Sequence, residues 1–161
     1  DATKTKSTGK NNVNYKLVMK APAIGDVYKV TATAQTGVST TAEIKILRKP
    51  VGIEIHKDAE SHAQFTEKNP KNGKAIANTK YIPIGESFEM YPEVNVGESA
   101  KKAQWVPAGT DNTESVTYTQ SGKGKVIIIG NVVYGVKEGK VTITAKTPNN
   151  KKTTLKVEVQ P

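Results

Sequence analysis

Lys29-Val30-Thr31-Ala32-Thr33-Ala34-Gln35-Thr36 decides the fold, because the chain writes it twice. It returns as Lys140-Val141-Thr142-Ile143-Thr144-Ala145-Lys146-Thr147, with six of eight positions identical. Each copy leads through a polar turn into a second alternating run, Thr40 to Ile46 in the first and Thr153 to Val159 in the second. Alternation of apolar and polar residues is the period of a half-buried strand, so each copy reads as a β-hairpin. The copies lie roughly 110 residues apart, the size of a domain rather than of one solenoid turn.

Working outward, the second copy closes a stretch long enough to be a complete domain, whereas only 28 residues precede the first. The expected organisation is therefore tandem. Residues 1–48 are the C-terminal part of a truncated repeat, and residues 49–161 are a complete domain with an insertion at about 57–80. The junction falls at Arg48-Lys49-Pro50, where the proline has no N–H for a ladder and disfavours helix in the residue before it. Asp1 in place of Met suggests a processed or excised start.

Apolar residues make up 35% of the chain, and Val, Ile and Thr concentrate in short runs, which is strand composition. No run reaches the 18 or more apolar residues of a membrane helix. The absence of cysteine excludes disulfide staples and Cys-ligated zinc. The net charge of +9 is carried almost wholly by lysine, Arg48 being the only arginine. Base and phosphate recognition favours the arginine fork, so the charge argues for a solvated surface, not for nucleic-acid binding. Attraction to an anionic wall polymer stays open.

Along the chain, residues 1–12 lack an apolar period and read as a mobile end or loop, followed by a strand from Val13 to Met19. Residues 57–80 read as a hairpin across Asn69-Pro70-Lys71-Asn72-Gly73, or as a loop with a short helical piece near 58–64. Phe88, Met90, Pro92, Val94 and Val96 form one apolar strand face. Val126 to Ile129 suits a strand buried on both faces. The expected core is Trp105, packed between sheets, together with Val141, Ile143, Leu155 and Val157. About seven to nine strands and no long helix make the class all-β, a sandwich.

Several stretches carry a resemblance to a known family: Ile82-Pro83-Ile84-Gly85-Glu86, Pro92, Gln104-Trp105, and Tyr134-Gly135-Val136-Lys137-Glu138-Gly139-Lys140-Val141-Thr142-Ile143-Thr144-Ala145. In these, residues 51–159 resemble the bacterial immunoglobulin-like domains of the Big2 group, the modules strung along invasin- and intimin-like surface proteins. The closing hairpin of the likeness also covers residues 25–47. The resemblance implies an immunoglobulin-like β-sandwich in tandem repeats, on a bacterial cell surface or secreted. Residues 57–80, and Pro107 to Glu114 after the tryptophan, depart from the family pattern and look like surface insertions.

Chemistry is sparse. His56 and His62, near Asp58 and Glu60, are the only histidines; a metal or base site is conceivable, but the pattern favours a solvated loop. No serine sits in a nucleophile elbow, and Gly122 and Gly124 precede a strand rather than a phosphate-cradling helix. Dispersed carboxylates argue against a calcium loop. No catalytic residue, cofactor or metal is assigned. Tyr81, Tyr91, Tyr118 and Tyr134 are candidate ligand contacts, as a sugar platform or as edge caps of the sandwich.

The leading expectation is a non-catalytic stalk and adhesion module, extracellular. Its partners would be neighbouring immunoglobulin-like domains of the same parent chain, and a host-surface protein, a glycan or an anionic cell-wall polymer. The alternative is a carbohydrate-recognition accessory domain of a secreted glycan-degrading enzyme. A phage or surface-layer structural protein would share the fold.

Overall fold

Strand-forming runs punctuated by turn residues give an all-β chain in the computed structural model, which describes residues 2–9, 12–19 and 22–161, with side chains from residue 22 onward. It divides into two units, Asp1–Leu47 and Arg48–Pro161.

The first unit holds two hairpins. Strands β1 (Ala2–Gly9) and β2 (Asn12–Met19) pair antiparallel over their full length. The expectation of a loop over residues 1–12 is thus corrected for residues 2–9 and 12, and for residues 1, 10 and 11 it lies outside the described ones. Its polar stretch is rich in threonine, whose β-branching suits a pleated strand without an apolar face. The apolar face expected from Val13 to Met19 concerns side chains outside the described ones. Strands β3 (Val27–Thr33) and β4 (Ser39–Lys45) form the first copy of the repeated hairpin. Tyr28 and Ile44 face each other across it, half-buried, and an exposed Lys29–Glu43 pair at 3.3 Å crosses the opposite face.

The second unit is a β-sandwich. One sheet is β11 (Trp105–Pro107), β10 (Tyr91–Asn95) and β5 (Gly52–His56). A second contains β12 (Thr117–Gln120), β15 (Gly139–Lys146), β16 (Lys152–Gln160) and β8 (Thr79–Pro83) in that order. Strands β15 and β16 are the second copy of the hairpin, and β16 pairs with β8 in parallel. A third sheet joins β13 (Val126–Ile129), β14 (Val132–Gly135) and β9 (Ser87–Glu89). The core fills the space between them. Ile53, Ile55 and Val94 meet Val141, Ile143, Leu155, Val157 and Val159, with Ile82, Met90, Val126 and Val133 closing the end. The expected inward positions Val141, Ile143, Leu155 and Val157 are all buried.

The two copies share more than sequence. In each hairpin five residues close the turn. The amide of Ala34 donates to the Val38 carbonyl at 2.8 Å, and that of Thr147 to the Lys151 carbonyl at 2.9 Å. The amides of Gly37 and Asn150 donate back to the Ala34 and Thr147 carbonyls. Gly37 and Asn150 both occupy the left-handed region, with φ of 84° and 67°, where glycine is free and asparagine is among the least penalised alternatives. Matched by their turns, the two similar octapeptides are offset by two residues. A two-residue slip keeps every side chain on its own face.

Other details differ from the sequence reading. Short strands raise the count to sixteen among the described residues. The apolar run from Phe88 to Val96 keeps its alternation but switches sheets at Met90, so β9 pairs with β14 while β10 pairs with β5 and β11. Residues 57–80 hold a hairpin of β6 (Thr66–Lys68) and β7 (Ala75–Ala77) across the Asn69–Gly73 turn, and 58–64 is not helical. Strand β13 is not buried on both faces: Val126 is 1% exposed, but Ile127 and Ile129 are 49% and 64% exposed. Its sheet turns one face to solvent, so Ile127 and Ile129 alternate outward while Val126 and Ile128 meet the core. Gly135 is needed for closeness, since a Cβ there would lie 2.9 Å from the Pro83 carbonyl oxygen.

Candidate metal centre

Antiparallel pairing of β5 with β10 sets Glu54 directly opposite Glu93, and His56 opposite Tyr91. Because side chains alternate across a strand, Ile53, Ile55 and Val94 point into the core while Glu54, His56 and Glu93 share the other face. That face is covered. His56 is 1% exposed and Glu93 2%. The solvated-loop reading of His56 is therefore corrected: chain that leaves β5 folds back over it.

The fold-back is built by a side-chain turn. Asp58 Oδ1 accepts from the Glu60 and Ser61 amides at 3.1 and 2.6 Å, and its Oδ2 accepts from the Ser61 hydroxyl at 2.7 Å. Those donors hold the Asp58 carboxyl below the usual carboxylate range, the Ser61 amide contributing most. The Lys57 amide donates to the Ala63 carbonyl, and a bridge between His56 and Gln64 closes the loop. His62, at a left-handed φ of 48°, is thereby presented over Glu93.

Here His62 Nδ1 donates to Glu93 Oε2 at 2.6 Å. The same oxygen lies 2.9 Å from His56 Nδ1, yet out of line for a hydrogen bond, so that buried nitrogen has no partner. The other nitrogen of the ring, Nε2, donates to Glu54 Oε2 at 3.0 Å. The rings of His56 and His62 meet edge to face at 5.7 Å. Two imidazole nitrogens and a carboxylate oxygen thus lie within 4.8 Å of one another, a donor set able to hold a divalent cation.

Trp105 belongs to this face and not to the core between the sheets. Its neighbour Val106 packs against the core, so alternation turns the indole outward. There it meets His56 edge to face at 6.0 Å, and a Cβ on Gly52 would touch its ring at 3.8 Å. The ring is half-buried, a lid over the histidine.

The four tyrosines do not form one platform. Tyr91 donates to Glu89 at 2.8 Å and lines an open cleft of about 370 Å³ with Phe65, Phe88, Lys57 and Lys80. Tyr81 lines a different groove beside β16, its amide donating to Glu67, which also pairs with Lys80. Tyr118 donates to Asn131 at 2.9 Å, and burial pushes its phenol well above the usual range. Tyr134 is 40% exposed on the third sheet. Glu93 went unnoticed in the sequence, although a carboxylate between Pro92 and Val94 in an apolar strand was the available signal. Compared with known proteins, the chain matches no family model and no curated protein.

Proposed function

We propose that this chain is a non-catalytic, immunoglobulin-like stalk and adhesion module of a bacterial cell-surface or secreted protein. The observation that carries the reading is the repeated hairpin, which recurs in two units with the same five-residue turn. Modules repeated along a chain serve reach and presentation. The Big2-like stretches from Ile82 to Glu86 and from Tyr134 to Ala145 support the same reading.

The topology suits load. β8, the fourth strand of the unit, runs parallel to the final strand β16 over five register pairs. Once β5, β6 and β7 are drawn out, tension applied at the two ends pulls these parallel neighbours in opposite directions along their axes. Their hydrogen bonds are then loaded together, in shear, rather than one after another.

Stretching single molecules of tandem 48–161 units by their ends tests this. Each unit is expected to give a distinct unfolding peak. Ile84→Pro, which removes the amide donating to the Gln160 carbonyl at 2.9 Å, is expected to lower that peak. Extension without resolvable peaks would sink the stalk reading. The second reading, carbohydrate recognition, is favoured by the cleft in which Tyr91 lies beside Phe65 and Phe88. It expects saturable glycan binding that Tyr91→Ala abolishes.

A further inference from the structure

Two carboxylates placed directly opposite on one sheet face repel, and burying one of them is costly without a positive partner. Glu54 and Glu93 are so placed, and Glu93 is buried. The histidines do not resolve this by hydrogen bonding alone. With Nε2 of His56 donating to Glu54, the buried Nδ1 lies 2.9 Å from Glu93 Oε2 without a hydrogen bond to it. A buried ring nitrogen left without a partner, beside a buried carboxylate and a second imidazole, is a ready ligand for a cation.

We propose that His56 Nδ1, His62 Nδ1 and Glu93 Oε2 bind a divalent transition-metal ion of the zinc class, with Glu54 orienting His56 from behind. Two imidazoles and one carboxylate select zinc, cobalt, nickel or copper over calcium and magnesium, which prefer all-oxygen shells. The contact between Glu54 and the remote nitrogen of His56 is the carboxylate–histidine arrangement that fixes the tautomer of a metal ligand. Bonds of about 2.0 to 2.1 Å to a tetrahedral ion put ligand atoms roughly 3.3 Å apart. The observed 2.6 and 2.9 Å separations from Glu93 must therefore open by less than 1 Å. His62 sits on a loop and can supply that movement; to bind through Nδ1 its ring must be neutral with the proton on Nε2, so the proton now shared with Glu93 leaves Nδ1 and the exposed Nε2 carries one from solvent.

Two consequences follow from the geometry. The ion ties the loop over residues 57–63 to β10, supplementing the Asp58 turn. Three protein ligands leave a fourth position, and the His62 side chain, 53% exposed, puts it at the surface. Water or a carboxylate from an approaching molecule would fill it.

The test is calorimetric titration of the tag-free, chelator-treated full chain with zinc chloride, repeated with cobalt for its visible spectrum and with calcium as the contrast. One zinc per chain is expected, with a tetrahedral cobalt spectrum and no calcium response. His62→Ala should weaken zinc binding at least tenfold, and Glu54→Gln by about 10- to 100-fold. Glu93→Gln should do at least as much as His62→Ala. Should the buried Glu93 variant not fold, His62→Ala still decides, because His62 is exposed on its loop. Absence of zinc binding, or binding that His62→Ala leaves unchanged, overturns the assignment.

Discussion

Trp105 shows how one side chain can be read correctly for type and wrongly for place. A lone tryptophan in a short strand of a sandwich is expected between the sheets, but Val106 takes that position and the indole covers His56 on the opposite face. Its removal therefore uncovers the histidine cluster without opening a cavity between sheets. Trp105→Ala should cost about 1 to 2 kcal/mol, below the 3 to 5 kcal/mol typical of a fully buried ring. Denaturant unfolding followed by circular dichroism measures it, and a loss above about 3 kcal/mol would return the ring to the core. His56 and His62 stood out in the sequence, and Glu93 did not. Their convergence was not visible, because it depends on strand register and on a loop folded back by Asp58, and neither leaves a periodic trace.

Among the elements, those with one face toward solvent and one toward the core were legible, since alternation records that asymmetry directly. The two hairpins, the inward set Val141, Ile143, Leu155 and Val157, and the turn at Asn69 to Gly73 all follow from local pattern. Elements whose environment is set from a distance were not. The Val126 to Ile129 run is apolar throughout, yet one face of its sheet meets solvent and exposes Ile127 and Ile129. Phe88 to Val96 has an unbroken pattern, yet it changes sheets at Met90. The hairpin turn offers a sharper test, because Asn150 holds the left-handed position that Gly37 holds in the other copy. Asn150→Gly should leave stability within a few tenths of a kcal/mol, while Asn150→Ala should cost about 1 kcal/mol. Urea unfolding of both variants checks this; an alanine variant as stable as the parent would mean that the turn does not require that φ.

For the whole molecule, what matters is where the buried apolar side chains come from. Every member of the core cluster lies between Ile53 and Val159, inside the unit Arg48–Pro161. A unit of roughly 110 residues buries about two thirds of the surface of its unfolded chain, enough for independent stability. In the hairpin of β3 and β4, every described side chain from Thr31 to Glu43 is exposed. Residues 48–161 produced alone should therefore fold and unfold in one cooperative transition. The only tryptophan lies in this unit, so its fluorescence reports on the unit in isolation and within the full chain alike. A fragment with solvent-like tryptophan emission and no cooperative transition would show that the sandwich needs residues 1–47 to form. A sharp transition in the fragment would establish it as an autonomous module, the property that a chain built from repeated units requires of each one.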